Sequence, residues 1–117
     1  MRAVLALLMA VGMFSVAHAH AFLTHATPGV GDVVASAPKQ VILSYTEGLE
    51  VPFCSVTVQA PDGSFVQTGK AEPVPGQAAE MAVGVKISAP GAYKVVWHAV
   101  SVDTHHTQGA FSFTYQP

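Results

Sequence analysis

Residues 91–100 have the sequence GAYKVVWHAV, and this run decides the fold. Successive side chains of a β-strand point to opposite faces of the sheet. If the run is a strand, the side chains at 93, 95, 97 and 99 share one face, and those at 94, 96, 98 and 100 share the other. The first face holds Tyr93 and Trp97, so we predict that Trp97 anchors a hydrophobic core and that His98 points outward.

The rest of the chain repeats this pattern in shorter pieces separated by Pro and Gly, without an amphipathic helix. The segments Pro61-Asp62-Gly63-Ser64 and Ala89-Pro90-Gly91 are typical of turns, and residues 69–80 are predicted as a loop. We predict an all-β, immunoglobulin-like Greek-key sandwich of about seven strands, with a compact barrel as the alternative. The predicted strands are 21–26, 40–46, 54–59, 65–68, 82–87, 91–100 and 110–115.

The first residues have the pattern of a cleavable signal peptide. Arg2 is followed by an apolar run over about residues 4–14, and Ala17-His18-Ala19 presents small residues to a signal peptidase. The run is shorter than the 20 or so apolar residues of a membrane-spanning helix. We therefore predict a signal peptide at 1–19, an exported domain at 20–117 and no membrane insertion after cleavage. Cleavage after Ser15-Val16-Ala17 is the alternative.

Composition limits the function of the mature chain. Removing 19 of the 117 residues leaves 98, enough for one compact domain. Arg2 is lost with the leader, so four basic residues face seven acidic ones, which does not favour nucleic acid or an anionic membrane surface. Cys54 is the single cysteine, so no intrachain disulfide can form. We predict a small buried residue at this position; a reactive thiol or a copper ligand is the alternative.

Cleavage before His20 would create a metal chelator. The free amine and the imidazole Nδ1 of an N-terminal histidine can close a ring around one cation. Cleavage before His18 would instead leave His18-Ala19-His20, an amine with a histidine at position three, which chelates Cu(II) or Ni(II) in a square plane. Either cleavage leaves a histidine at the N-terminus.

A second group of donors lies in Ser101-Val102-Asp103-Thr104-His105-His106. In an extended segment Asp103 and His105 project from one face and His106 from the other. The spacing alone is more typical of capping or solvated residues. Together with His20, however, Asp103 and His105 form a set of three nitrogens and one oxygen, which suits Cu(II) in tetragonal geometry; Zn(II) is the competitor. We expect His25, His98 and His106 at the surface, with His106 close to the ion but not bound to it.

The chain resembles the CopC-type periplasmic copper-binding proteins. The matching segments are the histidine after the predicted cleavage site, Pro28-Gly29-Val30-Gly31, Leu43-Ser44-Tyr45-Thr46-Glu47, the run from Gly91 to His105, and Gly109-Ala110-Phe111-Ser112-Phe113. The resemblance implies an immunoglobulin-like β-domain that holds one Cu(II) per chain through His20, Asp103 and His105. It also implies an acidic residue near the ion at Glu47 and, as a partner, an inner-membrane copper transporter of CopD type.

One departure from the family concerns Cu(I). Some members carry a Cu(I) site on a Met-rich loop with a histidine, whereas only Met81 remains after maturation and no histidine occurs between His25 and His98. Because thioether ligands select Cu(I), we predict a protein that binds Cu(II) only. The predicted function is non-enzymatic Cu(II) binding for copper homeostasis or resistance, by sequestration or delivery. A small histidine-brace copper oxidase or monooxygenase and a metal-free interaction domain are the alternatives.

Overall fold

The structure is a computed structural model that describes residues 21–117; the predicted signal peptide and His20 lie outside the described residues. Within these residues the chain forms eight β-strands and one short 3-10 helix, Val51–Phe53. Among the described residues, no helix is long and apolar enough to cross a membrane. The strands are β1 (Leu23–Thr27), β2 (Val33–Val34), β3 (Gln40–Tyr45), β4 (Ser55–Gln59), β5 (Glu72–Val74), β6 (Gln77–Gly84), β7 (Gly91–Val100) and β8 (His106–Tyr115).

The strands form two four-stranded sheets that pack face to face. The first sheet has the order β1-β3-β6-β5, and the second has the order β2-β8-β7-β4. Apart from the parallel pair of β2 and β8, neighbouring strands are antiparallel. The predicted all-β sandwich is confirmed, with eight strands in place of about seven and with two separate sheets in place of the alternative barrel.

The core forms where the inward faces of the two sheets meet, and β7 contributes as its alternation predicts. Its bounds match the predicted strand, Tyr93 and Trp97 are buried, and His98 is exposed. The ring of Tyr93 stacks on Phe113 at a centroid distance of 5.6 Å. The ring of Trp97 packs edge to face against Tyr45 of the other sheet at a centroid distance of 5.2 Å, so this aromatic pair joins the two sheets.

The predicted segments at 65–68 and 69–80 differ most from the structure, and the strand predicted at 82–87 lies instead at Gln77–Gly84. Residues 65–68 do not form a strand but make single bridges, because the segment crosses between the sheets: Phe65 bridges Gln59 of β4, and Gln67 bridges Val85 just after β6. The predicted loop at 69–80 contains β5 and the start of β6. Gly76, at φ 76°, makes the turn between them, and Pro73 is tolerated because β5 is an edge strand.

Candidate metal centre

The loop between β7 and β8 brings Asp103 and His105 together. It closes through bonds from the Ser101 N–H to the His105 carbonyl at 3.0 Å and from the Thr104 N–H to the Ser101 carbonyl at 2.8 Å. Thr104 has φ 68°, in the left-handed region that a β-branched residue rarely adopts. The segment is therefore a tight turn, and the extended geometry assumed from the sequence is wrong here.

The turn nevertheless produces the predicted convergence of a carboxylate and an imidazole. Nδ1 of His105 lies 3.1 Å from Oδ2 of Asp103, and the two side chains are 42% and 39% exposed. His106 begins β8 opposite Val100 and takes no part in this contact. The sandwich thus presents one nitrogen donor and one oxygen donor side by side, within reach of solvent.

Ser101 stabilises the turn from inside the domain, although the sequence did not identify it as a site residue. It is fully buried. Its hydroxyl donates to Oδ1 of Asp103 and accepts the His105 N–H at 3.2 Å. The bond from Ser101 is the main cause that lowers the pKa of Asp103, and the nearby His105 lowers it further. The available signal was a hydroxyl residue ending a buried strand two positions before an aspartate.

The start of the described chain is held beside this turn. Ala21 is fully buried, and its carbonyl accepts a hydrogen bond from the hydroxyl of Thr107 at 2.8 Å. Thr107 lies two residues after His105 in β8. The predicted ligand His20 lies outside the described residues, but its neighbour Ala21 is fixed at the same end of the sandwich as Asp103 and His105.

Glu47 and His25 belong to the first sheet and the bend that follows β3; Gly48, next to Glu47, accepts the Val102 N–H at 3.0 Å. Glu47 is half-buried in the bend after β3, next to Thr46, whose N–H bonds to the Phe22 carbonyl at 2.9 Å. His25 is exposed on β1, as predicted, and its ring contacts Thr27 at 3.4 Å. Within residues 21–117, no three His, Cys, Asp or Glu side chains gather closely enough to hold a metal ion.

Cys54 is half-buried and bonded to the backbone. Its Sγ accepts the Val100 N–H at 3.3 Å and donates to the Glu50 carbonyl at 3.4 Å. Burial raises the pKa of the Cys54 thiol, which disfavours the thiolate that metals and electrophiles require. The structure thus favours the predicted packing role, although the residue is less deeply buried than expected.

The comparisons with known proteins identify the family. The CopC domain model matches residues 23–116, which is nearly all of the described chain. The chain belongs to the CopC family. The crystal structure of CopC from Methylosinus trichosporium OB3b superposes with a TM-score of 0.77 at 31% identity, covering 84% of this chain and 95% of that one.

Two relatives differ in how much of their own length the similarity covers. Protein YobA of Escherichia coli strain K12 is 35% identical over 97 residues, which are 82% of this chain and 78% of YobA. Copper transport protein CutJ of Bacillus subtilis strain 168 is 31% identical over 112 residues, which are 95% of this chain but only 21% of CutJ. Membership of the CopC family assigns this chain a copper-related function.

Proposed function

We propose that the mature protein binds one Cu(II) ion in the periplasm. The donors in this proposal are the amine and imidazole of His20, the carboxylate of Asp103 and the imidazole of His105. The observation that carries the proposal is the position of Ala21, buried and bonded to β8 two residues from His105. Because consecutive Cα atoms are about 3.8 Å apart, the proposal requires His20 to reach Asp103 and His105 from the position at which β8 holds Ala21.

The chemistry of the two described donors fits this cation. Asp103 supplies an anionic oxygen donor, and the hydrogen bond from Ser101, which lowers the pKa of this carboxyl group, favours its charged form. Cu(II) binds more strongly than the other divalent first-row metals to nitrogen and oxygen donors. Ser101 holds the carboxylate of Asp103 and the backbone of His105 at fixed positions, so metal binding costs less conformational entropy.

The decisive experiment compares protein that begins at His20 with protein that carries an extra Met before it. Copper affinity should fall by at least about tenfold in the extended protein, because its first histidine no longer has a free amine. His105→Ala and Asp103→Asn should weaken binding by a similar factor, whereas the matched control His106→Ala should not. Unchanged affinity and an unchanged copper EPR spectrum in the extended protein would refute this ligand set.

We also propose that the site does not retain Cu(I). Met81, the single methionine after the predicted leader, is fully buried in the core and pairs with Leu43. Its thioether is therefore removed from the surface, where a soft ligand for Cu(I) would be needed. A Cu(I) chelator should remove copper completely from the reduced, loaded protein. The proposal would be contradicted if the reduced wild-type protein kept its copper in the presence of the chelator and the Met81→Leu variant did not.

The proposed role is binding and delivery rather than catalysis, with an inner-membrane copper transporter of CopD type as the partner. In CutJ the matching region is about a fifth of a chain named as a copper transport protein, so a similar domain is joined there to a longer protein. Delivery predicts that loaded protein gives up copper to membranes containing such a transporter and not to membranes without it. Reductant-driven oxidation of a polysaccharide by the copper-loaded protein would instead favour the histidine-brace enzyme.

A further inference from the structure

Two threonine hydroxyls hold the first described residues, and they come from opposite sides of the sandwich. Thr107 belongs to β8 of the second sheet, and its Oγ1 donates to the Ala21 carbonyl at 2.8 Å. Thr46 follows β3 of the first sheet, and its Oγ1 accepts the Phe22 N–H at 3.0 Å. A third bond runs from the Thr46 N–H to the Phe22 carbonyl at 2.9 Å.

These bonds fix the backbone of residues 21 and 22, whose side chains contribute little packing. Residues 21 and 22 precede β1, which begins at Leu23, so they lie outside the regular strand. The Phe22 side chain is 58% exposed, and Ala21 has only a methyl group to bury. The first residues of a domain are usually poorly ordered unless something ties them down. Here the ties are hydrogen bonds, two of which involve threonine hydroxyls.

We propose that Thr46 and Thr107 are positioning residues for the N-terminal copper ligand, an inference that rests on the proposed function. The two hydroxyls fix the backbone of Ala21 and Phe22, to which the proposed copper ligand is joined. The amine and imidazole of His20 then need little further ordering to meet Asp103 and His105. Neither threonine binds the ion; each acts through the backbone of the chain start.

The test measures Cu(II) affinity and the copper EPR spectrum of protein beginning at His20. Thr107→Val keeps the shape of the side chain but loses the hydroxyl, and it should weaken binding by about tenfold, or about 1.4 kcal/mol. Thr107→Ser keeps the hydroxyl and should restore the affinity. Thr114→Val, at the far end of β8, is the matched control and should bind as the wild type does.

Thr46→Val repeats the test from the first sheet, so the inference remains testable even if Thr107→Val does not fold. Wild-type affinity in both valine variants would overturn the inference, as would equal losses in Thr107→Val and Thr107→Ser. The extra Met before His20 separates this inference from the proposed function. If the wild type is insensitive to that Met, the proposed function fails; if it is sensitive while both valine variants bind normally, only the positioning role fails.

Discussion

Replacing Ser101 with alanine should loosen the turn between β7 and β8 by a predictable amount. The hydroxyl is fully buried, accepts the His105 N–H at 3.2 Å and donates to Asp103. In Ser101→Ala the amide of His105 loses its acceptor, which should lower the free energy of unfolding by about 1 kcal/mol at neutral pH. For a domain of this size, the melting temperature should fall by roughly 4–8 °C.

The same substitution has an effect that depends on pH. The bond from Ser101 is the main cause of the lowered pKa of Asp103. A carboxyl group with a lower pKa in the folded state stabilises the fold above its unfolded pKa of about 3.9, and this stabilisation is lost as pH falls through the folded value. Ser101→Ala raises the folded pKa toward the unfolded one. The stability gap between wild type and variant should therefore be larger at neutral pH than at acidic pH.

Urea unfolding followed by the fluorescence of Trp97 measures both effects, near neutral pH and at about pH 3. Ser112→Ala, which alters an exposed serine of β8, is the matched control and should leave the unfolding midpoint unchanged. An unchanged midpoint for Ser101→Ala near neutral pH would refute the hydrogen-bond argument. A stability gap of equal size at both pH values would refute the electrostatic argument.

Two further predictions concern the core and the copper site. A methyl group at Gly109 would lie 2.5 Å from the indole of Trp97, so Gly109→Ala should destabilise the fold by about 1–3 kcal/mol in urea unfolding. Gly69→Ala is the control and should keep wild-type stability, because its new methyl group has no neighbouring atom within 4 Å. Equal stability of the two variants would contradict the packing argument. Copper affinity should decrease between about pH 7 and pH 5, because amine and imidazole donors bind metal only when deprotonated; a flat pH profile in a copper titration would contradict histidine ligation.

The fold was predictable wherever strand alternation is regular. In β7 the apolar residues recur at every second position, and the strand has the predicted bounds. The hairpin of β5 and β6 escaped prediction because Pro73 and Gly76 are residues that usually interrupt strands. Only the position of β5 at a sheet edge makes Pro73 acceptable there, and that position depends on the fold as a whole.

Within the candidate site, the convergence of Asp103 and His105 was predictable, but the backbone geometry that produces it was not. The spacing of Asp103 and His105 indicated that they could share one face, and the structure does bring them into contact. The cause is different, because Thr104 takes a left-handed conformation for which a β-branched residue provides no sequence signal. Ser101 was overlooked as a site residue because its role depends on burial, which its residue type does not predict.

The hydrogen bond between Thr107 and Ala21 joins residues that are 86 positions apart, whereas Asp103 and His105 are two positions apart within one hairpin. Contacts between neighbours in sequence form early in folding, and contacts that close a long loop come late. We therefore expect the loop to form with the β7–β8 hairpin and the chain start to dock last. If the proposed ligand set is correct, a partly folded chain would gather only two of the four donors at one place, and full copper affinity would require the complete fold.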